Sequence, residues 1–145
     1  MTLTSALLVF AALVAVTLGA GFAARRRAGR VRHTAAHEVV VPERLGAEGL
    51  GEEATLLQFS TELCSRCPGV HRSLSSIAAA HDGVRHLDVD LTHRPDIAKH
   101  FHVLQTPTTL ILDRRGAVQS RIGGVPNREV VELELTRLRG VTADV

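Results

Sequence analysis

Residues 54–68 of the chain read ATLLQFSTELCSRCP. The first part, Ala54–Phe59, is a short apolar run of the kind that forms a strand buried on both faces of a sheet. A helix is predicted from about Cys64 to His81, because its apolar residues are spaced for one stripe. The stretch therefore places the CSRC motif of residues 64–67 at the junction between a buried strand and the helix that follows it.

The rest of the chain continues this alternation of strands and helices. Further strands are predicted at Val84–Asp90, Thr108–Leu112 and Ala117–Ile122, and further helices at Asp96–Phe101 and Asn127–Leu138. Upstream, the predictions are a short edge strand at Val39–Val41 and one or two helical turns at Glu43–Leu50. The order β-α-β-α-β-β-α with such apolar strands predicts an α/β fold, a central sheet covered by helices on both faces.

An uncharged segment of 22 residues, 3–24, opens the chain. As a helix it would be about 33 Å long, enough to cross the hydrocarbon core of a bilayer. A cleaved signal peptide is the alternative, but its positive residues would precede the apolar run, and residues 1–9 contain no Lys or Arg. We therefore expect residues 1–24 to be a transmembrane anchor.

Basic residues follow the apolar segment, with arginines at positions 25, 26, 27, 30 and 32, although the net charge of the chain is only +2. Residues 25–37 lack hydrophobic periodicity and are predicted to be a basic tether to a domain at 38–145. Nucleic-acid binding would also require stacking aromatics or a reading helix, and the sequence shows neither. Because Lys and Arg resist translocation, a single-pass protein of the cell membrane with its domain in the cytoplasm is expected.

The chain has 2 cysteines, Cys64 and Cys67, too few for a disulfide-stapled scaffold. At the start of a helix, unpaired N–H groups and the helix dipole would stabilise a thiolate, and Arg66 would add a positive charge. Residues three apart on a helix share a face, so the second cysteine can reach the first. Redox chemistry is the favoured interpretation; half of a zinc site, with His71 as a third ligand, is the alternative.

A second element of interest is Thr106-Pro107-Thr108, directly before a predicted core strand. The bond preceding Pro107 could be cis and hold a tight turn, or the proline could simply begin the strand.

Together these residues resemble the thioredoxin family over about residues 38–140. The resemblance is carried by TLLQFSTELCSRCP, HLDVD, QTPTTLIL, DRRGAV and the glycine pair at 123–124, in that order. The N-terminal apolar segment and arginine cluster make the whole chain similar to membrane-tethered thioredoxin-like proteins of actinobacteria. A thioredoxin-like fold with a mixed sheet is implied.

The resemblance also implies roles for individual residues. Cys64 would be the attacking thiol and Cys67 the resolving thiol of a thiol–disulfide oxidoreductase that acts on protein disulfides. Pro107 would be cis and face the cysteines, and the Thr106 backbone would pair with the substrate. The remaining supporting residues of the site would be Ser65, Arg66 and Gly123. The redox-active disulfide would serve in place of a cofactor, and a reductase would regenerate the dithiol.

Departures from the family pattern concern proton transfer and redox poise. The family's buried carboxylate, six residues before the first cysteine, falls on Gln58, and its lysine on the next strand falls near His86. Because Gln58 cannot take up a proton, the resolving step would need water, His86 or no acceptor at all. Trp before the first cysteine is replaced by Leu63, and Arg66 stands between the cysteines, which predicts a more oxidising pair.

Two other classes of function stay open on the sequence. One is a copper or zinc carrier that uses the cysteine pair and a histidine. The other is a redox-inert module that binds extended peptides by strand addition.

Overall fold

The computed structural model describes residues 3–27, 31–33 and 38–143. Its elements in chain order are α1 (Leu3–Arg27), β1 (Val31–His33), a 3₁₀ helix (Pro42–Leu45), β2 (Ala54–Ser60), α2 (Cys67–Ala79), β3 (Val84–Asp90), α3 (Pro95–His100), β4 (Thr108–Asp113), β5 (Val118–Gly123) and α4 (Arg128–Ala143).

The five strands form one mixed sheet in the order β1-β5-β4-β2-β3. Strands β2 and β3 are parallel and are joined through α2, because a parallel connection needs a crossover. The other neighbouring pairs are antiparallel. Strand β2 lies between β4 and β3 and is buried along almost its whole length, which explains why its sequence is mostly apolar. The predicted α/β fold with a helix-covered mixed sheet is confirmed.

Each face of the sheet carries its own apolar core, because successive residues of a strand point to opposite sides. Leu57 and Phe59 of β2 pack on the side of α3, where the Phe59 and Phe101 ring centroids lie 5.3 Å apart. Leu56 of the same strand packs on the opposite side against α2 and α4. That second core includes Val70, Leu74, Ile77, Val131 and Leu135. Helices therefore cover both faces of the sheet, and β2 is buried on both sides.

The first helix of the domain begins later than predicted. It starts at Cys67, with Arg66 as the N-cap residue, whereas the sequence predicted a start near Cys64. The preceding residues form turns in which Cys64 N–H donates to Thr61 O at 3.0 Å and Cys67 N–H donates to Cys64 O at 3.2 Å. The apolar stripe lies at positions 70, 74 and 77, so its periodicity could not locate the helix start. Pro68 within the first turn is compatible with a start at Cys67.

The predicted tether contains a strand at Val31–His33, which the sequence analysis did not anticipate. This strand, β1, pairs antiparallel with β5, Val31 opposite Ile122, and extends the sheet by one edge. Farther along, Val39 forms a single bridge with Ala117, so the predicted Val39–Val41 edge strand is reduced to one contact. A three-residue strand is too short to show an alternation of apolar and polar residues. Its ladder hydrogen bonds join backbone groups and do not depend on side-chain type, so the sequence carried no signal for this strand. Residues 28–30 and 34–37 of the predicted tether lie outside the described residues.

Helix α1 contains a span, Thr4–Ala23, with mean hydropathy 2.4 and none of its length buried against the rest of the protein. Among the described residues it is the one helix long and apolar enough to cross a membrane. A signal sequence near an N-terminus would meet the same criteria, so the span fits a transmembrane helix without showing which side the domain occupies.

Candidate active site

Cys64 and Cys67 form a disulfide at the N-terminal end of α2. Cys64 lies in the turn between β2 and α2 and is half-buried, whereas Cys67, the first residue of the helix, is only 4% exposed. The positive end of the helix dipole and the unpaired N–H groups of the first turn lie at this point. The sequence argument that both cysteines share a helical face is therefore wrong in detail, since a turn brings Cys64 to Cys67. The two cysteines therefore differ in exposure, which is the asymmetry that an attacking and a resolving thiol require.

A shallow cleft of about 300 Å³ lies over the more accessible cysteine. It is lined by Thr61, Leu63, Cys64, Ser65, Arg66 and Thr106. Leu63 is 97% exposed, so an apolar side chain stands in solvent directly before the first cysteine. The structure thus brings Ser65 and Arg66, both predicted as supporting residues, to the same opening as Thr106.

The Thr106–Pro107 peptide bond is cis, as the resemblance implied. Polar contacts join the loop that contains this bond to the turn before Cys64 and to the end of β5. Thr61 Oγ1 and Thr106 Oγ1 lie 3.2 Å apart, and Gly124 N–H donates to Pro107 O at 2.8 Å. This arrangement places Thr106 beside the cleft over Cys64.

Gly123, the last predicted supporting residue, lies at the end of β5, opposite Thr108 at the start of β4. A Cβ atom at this position would overlap the side-chain amide of Gln105. The absence of a side chain at Gly123 therefore leaves room for the side-chain amide of Gln105.

Gln58 is completely buried under the disulfide. Its Nε2 donates to the carbonyl oxygen of Cys67 at 3.2 Å, and its Oε1 lies 3.3 Å from Nε2 of His86. Because Oε1 only accepts, the His86 proton is on Nε2. The other ring nitrogen, Nδ1, then accepts from Ser75 Oγ at 2.9 Å.

His86 is consequently a poor proton acceptor near neutral pH. Desolvation by burial, followed by the neighbouring imidazole of His71, lowers its pKa to about 4, although Asp88 acts in the opposite direction. Both ring nitrogens are engaged by Gln58 and Ser75. The sequence analysis named His86 as a possible substitute for the missing carboxylate; in the structure it is a neutral hydrogen-bonding residue.

A second group of polar residues at the site was not predicted. His71 Nδ1 lies 3.0 Å from Asp88 Oδ2, and Ser60 Oγ donates to Asp88 Oδ1 at 2.6 Å. Both His71 and Asp88 line a cleft of about 390 Å³ that also reaches Cys64 and Cys67. The sequence suggested His71 only as a metal ligand, and nothing in it linked α2 to Asp88. The packing of α2 against β3 creates this proximity.

Metal binding gains no support from the geometry. Within residues 3–27, 31–33 and 38–143, no three His, Cys, Asp or Glu side chains are grouped so that they could hold a metal ion.

A mixed, helix-covered sheet with a Cys-X-X-Cys disulfide at the start of a helix and a cis-proline loop nearby defines a class of dithiol–disulfide proteins. The chain belongs to the thioredoxin family, whose family model, described as "Thioredoxin", matches residues 45–135. The Cys64–Cys67 disulfide lies within the residues that the family model matches.

The individual proteins that are similar to this chain share 25% of its residues or fewer in the aligned regions. Thioredoxin H2 of Arabidopsis thaliana is 25% identical over 84 residues, which cover 58% of this chain and 62% of that protein. Among solved structures, oxidised mitochondrial thioredoxin 3 of Saccharomyces cerevisiae has a TM-score of 0.52 at 24% identity, covering 59% of this chain and 79% of that one. The short form of spinach chloroplast thioredoxin F has a TM-score of 0.53 at 20% identity, covering 61% and 79%. These structural likenesses concern the fold.

Proposed function

We propose that the chain is a membrane-tethered thiol–disulfide oxidoreductase that acts on protein disulfides, with Cys64 as the attacking and Cys67 as the resolving thiol. The observation that carries the proposal is the unequal exposure of the two cysteines of one disulfide, Cys67 being 4% exposed and Cys64 only half-buried beside the cleft. Only the accessible thiol can meet a bulky protein substrate.

The reaction transfers two electrons from the dithiol to the substrate. The Cys64 thiolate attacks one sulfur of the substrate disulfide, that bond breaks, and the substrate's other sulfur leaves as a thiolate and takes up a proton. The Cys67 thiol then loses its proton and attacks Cys64, which forms the intramolecular disulfide and releases the second substrate thiol. A reductase, for example a flavoprotein of the thioredoxin-reductase kind, would restore the dithiol.

Surface chemistry around the cleft favours an extended protein segment as the substrate. Leu63 is 97% exposed and Leu104, two residues before Thr106, is 95% exposed. Large apolar side chains this accessible can pack against residues that flank a substrate cysteine. The Thr106 backbone, beside the cleft, would pair with that segment as an added strand.

Tethering is proposed from α1, whose span Thr4–Ala23 has the length and hydropathy of a membrane helix. The arginines that follow it favour a cytoplasmic domain, where the reducing environment would keep the pair as a dithiol. Protease protection of closed vesicles tests this orientation. In sealed vesicles whose outer surface is the outer face of the cell membrane, digestion of the domain only after permeabilisation would support a cytoplasmic domain. Digestion of the domain in the sealed vesicles would place it on the outside instead.

The trapping experiment uses the full chain in detergent micelles with three variants. We expect Cys67→Ser to accumulate a mixed disulfide with a disulfide-bonded peptide, because Cys64 attacks and nothing resolves the product. Cys64→Ser and the double variant serve as controls and should trap nothing. Trapping by Cys64→Ser instead would reverse the assigned roles, and trapping by neither would overturn the proposal.

Reduction potential provides an independent test of the same proposal. Equilibration with glutathione should show a reversible two-electron couple between roughly −270 and −120 mV. If zinc or copper bound stoichiometrically and prevented disulfide formation, the metal-carrier alternative would replace the oxidoreductase. If no couple and no metal were found, the redox-inert peptide-binding module would remain.

A further inference from the structure

The pair formed by His71 and Asp88 has the geometry of an oriented base. His71 Nδ1 donates to Asp88 Oδ2 at 3.0 Å if its proton is on that nitrogen, which leaves Nε2 as the proton acceptor. Asp88 is held in turn by the hydroxyl of Ser60, at 2.6 Å from its other oxygen. A carboxylate that fixes the tautomer and orientation of an imidazole is the arrangement that activates many catalytic histidines.

The location of this pair is as informative as its geometry. His71 follows Cys67 by four residues on α2, so the two side chains occupy the same face one turn apart. The cleft of about 390 Å³ is lined by both cysteines, His71 and Asp88. Its size is sufficient for several water molecules, which can connect the imidazole with a cysteine thiol.

The two residues that the sequence analysis considered for proton exchange, Gln58 and His86, are unsuitable. Gln58, at the position of the family's buried carboxylate, has no titratable group. Its side-chain amide is hydrogen-bonded to Cys67 O and to His86. His86 is hydrogen-bonded through both ring nitrogens and its pKa is lowered to about 4 by burial. The resolving step therefore needs an acceptor from another part of the site.

We propose that His71, oriented by Asp88, exchanges the proton of the Cys67 thiol through water in the shared cleft, in place of the missing buried carboxylate. The inference rests on the proposed oxidoreductase function. The charged and titratable groups that face His71 include Asp88 and His86 on β3, and the same cleft is also lined by Arg72 on α2 and by Glu62 and Asp90 at its rim.

In the resolving step, the Cys67 proton passes by way of water to His71 Nε2, and the thiolate attacks the Cys64 sulfur of the mixed disulfide. The bond between Cys64 and the substrate breaks, and the substrate leaves as a thiolate that is then protonated. His71 returns its proton to water. When the oxidised pair is reduced again, the same imidazole returns a proton to the Cys67 thiolate.

The test measures the two chemical steps separately in the full chain. Reduced protein in detergent micelles is mixed with a disulfide-bonded peptide, quenched with acid at successive times, and the mixed disulfide is quantified by mass spectrometry between pH 5 and 9. Its formation reports attack by Cys64, and its decay reports attack by Cys67. The variants are His71→Gln, His71→Ala, Asp88→Asn and, as a matched control, His100→Gln on the exposed surface of α3.

We expect His71→Gln to slow the decay about tenfold to a hundredfold at pH 7, with formation unchanged, because general acid–base catalysis contributes rates of this size or larger. Added imidazole should restore part of the rate in His71→Ala. Asp88→Asn should slow the decay by a smaller factor, and His100→Gln should match the wild type.

Decay at the wild-type rate across the pH range in both His71 variants would overturn the inference while leaving the oxidoreductase function intact. Failure of the wild type to form any mixed disulfide would overturn both. An unchanged urea transition together with unchanged formation in a variant shows that its site is folded, so a slow decay then has a chemical cause.

Discussion

The side-chain amide of Gln58 donates a hydrogen bond of 3.2 Å to the backbone carbonyl oxygen of Cys67. Gln58 lies on β2, an interior strand of the sheet, and has no solvent exposure, so this bond connects the sheet to the first residue of α2. An uncharged amide satisfies the carbonyl without placing a charge under the disulfide. The residue at this position therefore supports the site structurally and leaves proton transfer to other groups.

Replacing Gln58 with Leu should lower the free energy of unfolding by about 1–3 kcal/mol, because the Cys67 carbonyl and His86 Nε2 would lose a buried partner. Urea unfolding at pH 7 measures the change. The control is Gln105→Leu, at an exposed position, for which a change within about 0.5 kcal/mol is expected. Equal effects of the two substitutions would contradict the supporting role of the buried amide.

Stability should decrease as the pH falls from 6.5 to about 4, the ordinary and folded-state pKa values of His86. Within this window the unfolded chain binds a proton at this residue and the folded chain does not, so acidification favours unfolding. Above pH 6.5 the histidine is neutral in both states and its contribution is constant. We expect His86→Gln to reduce the slope of unfolding free energy against pH in this window.

The measurement for His86 is a series of urea transitions at fixed ionic strength from pH 4 to 8, with His100→Gln as the control for loss of an exposed imidazole. A wild-type slope retained in His86→Gln would show that other groups are responsible.

Val31 should contribute to the stability of the domain although it lies in a segment whose sequence predicted a free tether. Val31 is partly buried against the apolar core that the sheet forms with helices α2 and α4. Arg32, the next residue, is exposed on the other face of the sheet. Val31→Ser should therefore cost about 1 kcal/mol and accelerate amide exchange in β5, while Arg32→Ser should change stability by less than about 0.5 kcal/mol. Equal, negligible effects would mean that β1 is not docked in solution.

Arg66 should raise the reduction potential of the cysteine pair, because its positive charge beside the sulfur atoms favours the thiolate of the reduced form. The side chain is exposed, so Arg66→Ala is expected to lower the potential by only about 10–20 mV, and by less at high salt. Glutathione equilibration measures the shift, with Arg114→Ala in the β4–β5 turn as the control. A potential that does not fall would remove Arg66 as a cause of an oxidising poise.

The amino-acid sequence by itself determined the order of the elements and the chemistry of the pair. The run at Ala54–Phe59 predicts a buried strand because burial on both faces selects mostly apolar residues. The CSRC motif after it identifies the redox site because no other residues provide a dithiol. These are local properties, and the predicted strands at 84–90 and 108–112 agree with the structure to within one residue.

Only the tertiary structure decided where α2 begins, that β1 joins the sheet, and which groups surround the cysteines. The start of α2 at Cys67 depends on a turn that includes Thr61, and β1 depends on the free edge of β5. The pairing of His71 with Asp88 joins residues 17 positions apart, through the packing of a helix on a parallel strand. Contacts of this kind are absent from local sequence patterns because they arise from register and packing between elements, whereas hydrophobic periodicity reports only the environment of each element.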